Sequence, residues 1–127
     1  MAHEKPALKP TEAELTLLNV LWRLGPVTVR QIHDVVSLTQ KTGYTTVLKI
    51  LQIMHEKSLV IRDESNRAHI YAAANSETHT QSSLIQDLIR KAFGGSTSKL
   101  VMRALDSSTS TEDINDIREL LNTLEER

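Results

Sequence analysis

The stretch Thr42 to Leu59, Thr-Gly-Tyr-Thr-Thr-Val-Leu-Lys-Ile-Leu-Gln-Ile-Met-His-Glu-Lys-Ser-Leu, constrains this chain more than any other. Its periodicity predicts a helix from about Tyr44 to Lys57. At about 100° per residue, Val47, Ile50, Leu51 and Met54 line up as one apolar stripe. Thr45, Thr46, Lys49 and Gln52 fall on the opposite side, starting at the helix N-terminus. An ordinary solvated helix face more often carries Glu/Lys pairs. Hydroxyls, one lysine and one amide suit base edges and phosphates. The alternative is a plain amphipathic helix with an inert outer face, and the flanking sequence decides between the two.

Upstream, Met1 to Pro10 holds two prolines and scattered charge and reads as a loose arm. Thr11-Glu12-Ala13-Glu14 is a capping box, in which the Thr11 hydroxyl caps the amide three residues on and Glu14 reaches back. The helix that follows carries Leu15, Leu18, Leu21 and Trp22 on one side, and Gly25-Pro26 ends it. Trp22 reads as core. Thr28-Val29-Arg30-Gln31 is a second capping box, and Ile32, Val35 and Val36 form the buried side of a short helix to about Leu38. Thr39 to Gly43 is a turn into the third helix. After it, Leu59-Val60-Ile61-Arg62 and Ala68-His69-Ile70-Tyr71-Ala72 are β-prone runs around the polar turn Asp63 to Arg67. Three helices, the second and third joined by a short turn, and then a hairpin make a winged helix-turn-helix domain over residues 1–75. In that arrangement the third helix enters the major groove, and Arg62 and Arg67 flank a hairpin tip that lies against phosphate. Thr28 and Arg30, at the start of the second helix, and Tyr44, at the start of the third, complete the expected DNA-binding set.

Residues 76–127 form a separate helical section. Leu84, Ile85, Leu88, Ile89 and Ala92 make a stripe that ends at Phe93-Gly94-Gly95, and Leu100, Val101, Ala104 and Leu105 make a shorter one. Ser107 to Ser110 is a linker. A last helix over about Thr111 to Glu126 carries Ile114, Ile117, Leu121 and Leu124 at alternating three and four spacing, a coiled-coil-like seam. Some fifty residues with three apolar stripes cannot bury them alone. A second copy of the chain is the simplest partner, with Leu84, Leu88, Phe93, Leu100 and Val101 joining the seam. The competing reading folds these helices back on the front domain. The fold class expected is therefore mainly α with a small β-hairpin.

Composition narrows the function. The net charge of the 127 residues is −1, but residues 26–75 carry six basic and four acidic side chains, whereas residues 76–127 carry six and nine. There is no cysteine, which removes disulfides, thiol catalysis and thiolate metal sites. No apolar run approaches the length of a membrane span, and no signal-peptide core opens the chain; no membrane association and a cytoplasmic location are expected. His3, His33, His55, His69 and His79 have no zinc-site spacing. His33 and His55 read as helix-surface residues and His69 as a strand residue. No phosphate loop or nucleophile elbow is present. No enzyme, cofactor or metal is expected. Two classes remain: a DNA-binding regulator, and a protein-interaction module on a winged-helix scaffold. The hydroxyl-rich start of the third helix favours the first.

Several blocks resemble one family. Pro10-Thr11-Glu12-Ala13-Glu14 with Val20-Leu21-Trp22, Val27 to His33, Gly43-Tyr44-Thr45-Thr46-Val47 through Leu51-Gln52, Lys57 to Val60, Arg67-Ala68-His69-Ile70-Tyr71 and Phe93-Gly94-Gly95 with Leu100-Val101 are similar to the penicillinase repressor family, the BlaI/MecI type with its copper-responsive CopY branch. The likeness covers nearly the whole chain. It implies a homodimeric transcriptional repressor on a palindromic double-stranded DNA operator, often near β-lactamase or membrane-sensor genes. The copper branch carries a C-terminal cysteine cluster that this chain lacks. The β-lactam-responsive members are inactivated by a regulatory protease that cuts an Asn-Phe bond in the fifth helix. Arg103-Ala104 occupy the matching place here, with neither the amide nor the ring.

Overall fold

The computed structural model describes residues 9–127, so most of the expected arm over Met1 to Pro10 lies outside the described residues. Thr11 opens α1 (Glu12–Leu24): its hydroxyl accepts the Glu14 amide at 3.2 Å, and Glu14 Oε1 accepts the Thr11 amide at 2.8 Å. The reciprocal pair satisfies donors that a helix N-terminus leaves open. Gly25 (φ +79) ends the helix, and its N–H returns to the Leu21 carbonyl. The same box at Thr28 and Gln31 starts α2 (Val29–Val36). This helix stops two residues before the expected Leu38. The amides of Leu38 and Thr39 turn to carbonyls three residues back, at Val35 and Val36, tightening the last turn and leaving Leu38 82% exposed. α3 (Tyr44–Glu56) follows.

The sheet has three strands where the sequence predicts two. β2 (Val60–Asp63) and β3 (Ile70–Ala73) form the wing hairpin, and β1 (Val27–Thr28) adds to the far side of β3, giving the antiparallel order β1-β3-β2. A two-residue strand is too short to show alternation and is defined only by its partner. Each expected wing strand starts late: Leu59 serves the end of α3, and Ala68 and His69 belong to the turn. Tyr71 lies opposite both Val27 and Arg62 and is 1% exposed. It joins Leu18 and Leu21 of α1, Ile32 of α2, and Val47, Leu51 and Met54 of α3 in one core. The fold is thus mainly helical with a small sheet, in winged-helix order.

Two compact units, Met1–Leu84 and Ile85–Arg127, divide within α4 (Glu77–Ala92). In the second unit, Gly94 and Gly95 (φ +58 and +83) turn the chain out of α4. Ser96 and Ser110 cap α5 (Thr97–Ala104) and α6 (Thr111–Glu125) by accepting the amides of Lys99 and Asp113. Ile89 is the one buried residue described in this unit, and α5 and α6 bury none.

The end of α3 carries local strain. Leu59 N–H bonds to the Met54 carbonyl at 2.9 Å and Ser58 N–H to the His55 carbonyl at 3.1 Å, the two bonds of a Schellman cap. The motif needs a left-handed residue between Lys57 and Leu59, and Ser58 supplies it at φ +63, alone among the described non-glycine residues. A Cβ in this region is unfavourable. Ser58→Gly is therefore expected to stabilise the protein by about 0.5–1 kcal/mol, the left-handed cost less glycine's larger unfolded-state entropy. Urea unfolding checks it, and a variant less stable than the parent would contradict the strain.

Candidate nucleic-acid interface

Burial of Val47, Leu51 and Met54 turns the other side of α3 outward. Thr45, Thr46, Lys49 and Gln52 are all exposed on it, with Ile53 and Glu56 on the same side. The first turn contains no acid, and Gly43 at the N-cap supplies no side-chain bond to the leading amides. The positive end of the helix is thereby left open. Tyr44 is partly exposed, its ring standing edge-on to His33 at 6.1 Å.

His33 is not the surface residue that the sequence suggests. It is half-buried, and its Nε2 lies 2.8 Å from the Thr42 carbonyl and 3.1 Å from Ser37 Oγ. A carbonyl only accepts, so Nε2 carries the proton. The imidazole bridges α2 to the residue that precedes the α3 cap, fixing the turn. His55 is also half-buried, and His69 sits one residue before β3.

The other end of α3 is held by charge. Glu14 is 3% exposed, and its Oε1 accepts Lys57 Nζ at 2.6 Å besides the Thr11 amide. Lys57 Nζ also reaches the Lys9 carbonyl at 3.4 Å. Burial pushes the Glu14 carboxyl up. The bond from Lys57, the Thr11 amide and the positive charge of Lys57 outweigh that, and the group titrates below its ordinary range. Neither residue was singled out as a pair, yet the signal was there. Glu14 stands three, four and seven residues before Leu17, Leu18 and Leu21, and Lys57 continues the α3 stripe three residues past Met54. A charge on each apolar face calls for a partner.

On the wing, Arg62 is half-buried. Its guanidinium lies beside the cross-strand Tyr71 and meets Glu64 Oε2 at 3.0 Å, and Tyr71 first and then Glu64 hold its proton more tightly. Asp63 accepts the hydroxyl and amide of Ser65 at 2.7 and 2.9 Å, which keeps its carboxyl below the usual range. Arg67 is exposed and makes no ion pair among the described residues. At α2, the Thr28 hydroxyl is occupied by its capping box, whereas Arg30 is exposed.

In the C-terminal section, Leu88, Val101, Ile114, Leu121 and Leu124 are exposed, and Leu84, Phe93, Leu100 and Ile117 are half-buried. Met102, which is 65% exposed, and Leu120 lie outside the expected stripes, and Leu105 of the shorter stripe is exposed as well. Arg103 and Ala104 are exposed in the last turn of α5. Among the described residues, no cluster of three or more His, Asp or Glu is placed to hold a metal ion, and no helix is long and apolar enough to cross a membrane.

Three helices, a tethered turn and a three-stranded wing define a winged helix-turn-helix protein. The sequence profile of the penicillinase repressor matches residues 10–123, and the chain belongs to that family. It is 28% identical over 115 residues to the transcriptional regulator BlaI of Mycobacterium tuberculosis, in strains CDC 1551 / Oshkosh and ATCC 25618 / H37Rv alike, covering 90% of this chain and 83% of each relative. The solution structure of the DNA binding domain of the repressor BlaI is similar in fold, with a TM-score of 0.52 at 19% identity over 58% of this chain and 90% of that one.

The Glu14–Lys57 pair generates a pH prediction. A lowered folded-state pKa contributes stability above the unfolded pKa, near 4.3 for glutamate, and that contribution is lost as pH falls through the folded value. Lys57→Met strands a buried carboxylate and is expected to cost on the order of 2–3 kcal/mol at pH 7. Adding Glu14→Gln recovers part of it. The gap between parent and Lys57→Met narrows as pH falls, first where the variant's stranded carboxyl, pushed up by burial, takes its proton, and then through the parent's lowered value. Denaturant titrations from pH 3 to 7 check this, and a gap that does not change with pH removes the pair from the account.

Proposed function

We propose that this chain is a sequence-specific DNA-binding transcriptional repressor. The observation that carries the reading is the exposed face of α3, where two threonines, a lysine and a glutamine stand in a row that begins at an uncapped helix N-terminus. Family membership supports it. Thr45, Thr46 and Lys49 contact base edges and the adjacent phosphates, with Tyr44 and Gln52 at the margin. Arg30 and Arg67 take phosphates, which position without reading. Thr28 contributes through the start of α2. Arg62, already engaged by Glu64, braces the wing and reaches phosphate only beside it.

The reading also assigns residues 1–75 to DNA and residues 76–127 to assembly of a homodimer on a palindromic operator. The support is the apolar surface left open on α4, α5 and α6, from Leu88 through Val101 and Ile114 to Leu124. A symmetric pair buries it and sets two recognition helices about one DNA turn, roughly 34 Å, apart. Release follows from the same arrangement. Two linked half-sites bind far more tightly than one, so a regulatory protease cutting between Met102 and Leu105 would free the DNA by removing α6 and leave the reading heads intact.

Selection of bound duplexes from a random pool tests the DNA reading. Enrichment of a two-fold-symmetric site is expected, with Thr46→Ala weakening it by roughly 1–3 kcal/mol and Lys49→Ala also lowering the salt slope. A pool without enrichment would leave the protein-interaction reading. Sedimentation tests the assembly: dimers at micromolar concentration for the parent, and monomers that hold one half-site weakly for Ile117→Asp. A monomeric parent rules the dimer out. An immunoblot of the native host under a β-lactam tests the cut, and full-length chain while target transcripts rise eliminates it.

A further inference from the structure

The exposed side of α3 contains one apolar side chain, Ile53, 41% exposed. At 100° per residue it points 40° from Lys49 and 20° from Thr46, between them around the helix axis. It stands seven residues beyond Thr46, a rise of about 10 Å at 1.5 Å per residue, or about three base-pair steps. An isolated exposed isoleucine elsewhere needs no explanation. Here it lies inside a face that is otherwise hydroxyl, amide and charge. The major groove offers acceptors and donors to those polar groups and a single apolar feature, the thymine 5-methyl group. Glu56, exposed three residues further on, is anionic and ends the usable face.

We propose that Ile53 determines part of the operator sequence by packing on a thymine 5-methyl group in each half-site. The inference rests on the assignment of α3 to the major groove. It adds a base position that the polar residues do not read. Ile53 carries no share of the core, so its contribution to DNA choice separates from folding.

The test uses the full chain and the duplexes enriched from a random pool. Each thymine is replaced in turn by deoxyuridine, which removes the methyl group and keeps the base pair. At one thymine per half-site the exchange is expected to weaken binding about fourfold, and roughly 15-fold when both half-sites are exchanged, the worth of one buried methyl group each. Ile53→Ala is expected to bind the thymine and uridine duplexes equally, with an unchanged melting midpoint. Ile53→Val keeps the discrimination. Loss of discrimination in the alanine variant, with parent-like binding to a scrambled duplex, is the result that supports the role of Ile53. Enrichment with no uridine effect at any position, or a uridine effect that persists in Ile53→Ala, overturns the role of Ile53 and leaves the DNA reading standing. A pool without enrichment overturns both.

Discussion

One buried carboxylate holds the ends of two helices in register. Glu14 closes the start of α1 through the Thr11 amide and grips Lys57, the residue that caps the end of α3. Apolar packing drives α1 and α3 together, but it is non-directional and by itself leaves a helix free to turn about its axis. A charge-assisted bond of 2.6 Å fixes distance and direction. At the other end of α3, His33 does the same through the Thr42 carbonyl. The helix is therefore oriented by polar contacts at its two ends and pressed inward by Val47, Leu51 and Met54 along its middle. Its outer face takes no part in holding it, so Thr45, Thr46 and Lys49 remain available to a ligand.

Charge on the wing is spent largely on the wing itself. Arg62 and Glu64 neutralise one another, and the Asp63 carboxylate is kept ionised by Ser65. A tip with two acids is a weak electrostatic partner for any anion, and their charge offsets that of Arg67. The wing thus serves first as the third wall of the core, through Tyr71 and Val60, and only second as a surface. The uncapped start of α3 faces no such opposition, since its first turn holds no acid.

Local signals made much of this visible in the sequence. Both capping boxes involve residues three apart, and the α3 stripe repeats within two turns, so each is complete in a short window. What could not be read depends on distant residues. β1 exists only because Val27 meets Tyr71, and Glu14 meets Lys57 across 43 positions. His33 looked like a surface residue because its partner, Thr42, lies past a turn whose shape no side chain announces. Arg62 meets Glu64 only two positions on, because the first wing strand runs from Val60 to Asp63, one residue later than the expected Leu59 to Arg62, and Glu64 opens the turn. Ile53 belongs to neither the apolar stripe nor the polar set expected from the sequence, and its 41% exposure puts it on the outer face, beside Lys49.

Trp22 gives the molecule a built-in optical probe. It is the only tryptophan in the chain. Its ring packs half-buried against the core, and its indole N–H donates to the Asn75 carbonyl at 3.0 Å, two residues before α4 begins. An indole packed against apolar side chains and bonded emits at shorter wavelength than one released fully into water. The colour of a single fluorophore therefore reports whether the segment leading into α4 is docked on α1, without any label and without interference from a second ring of its kind.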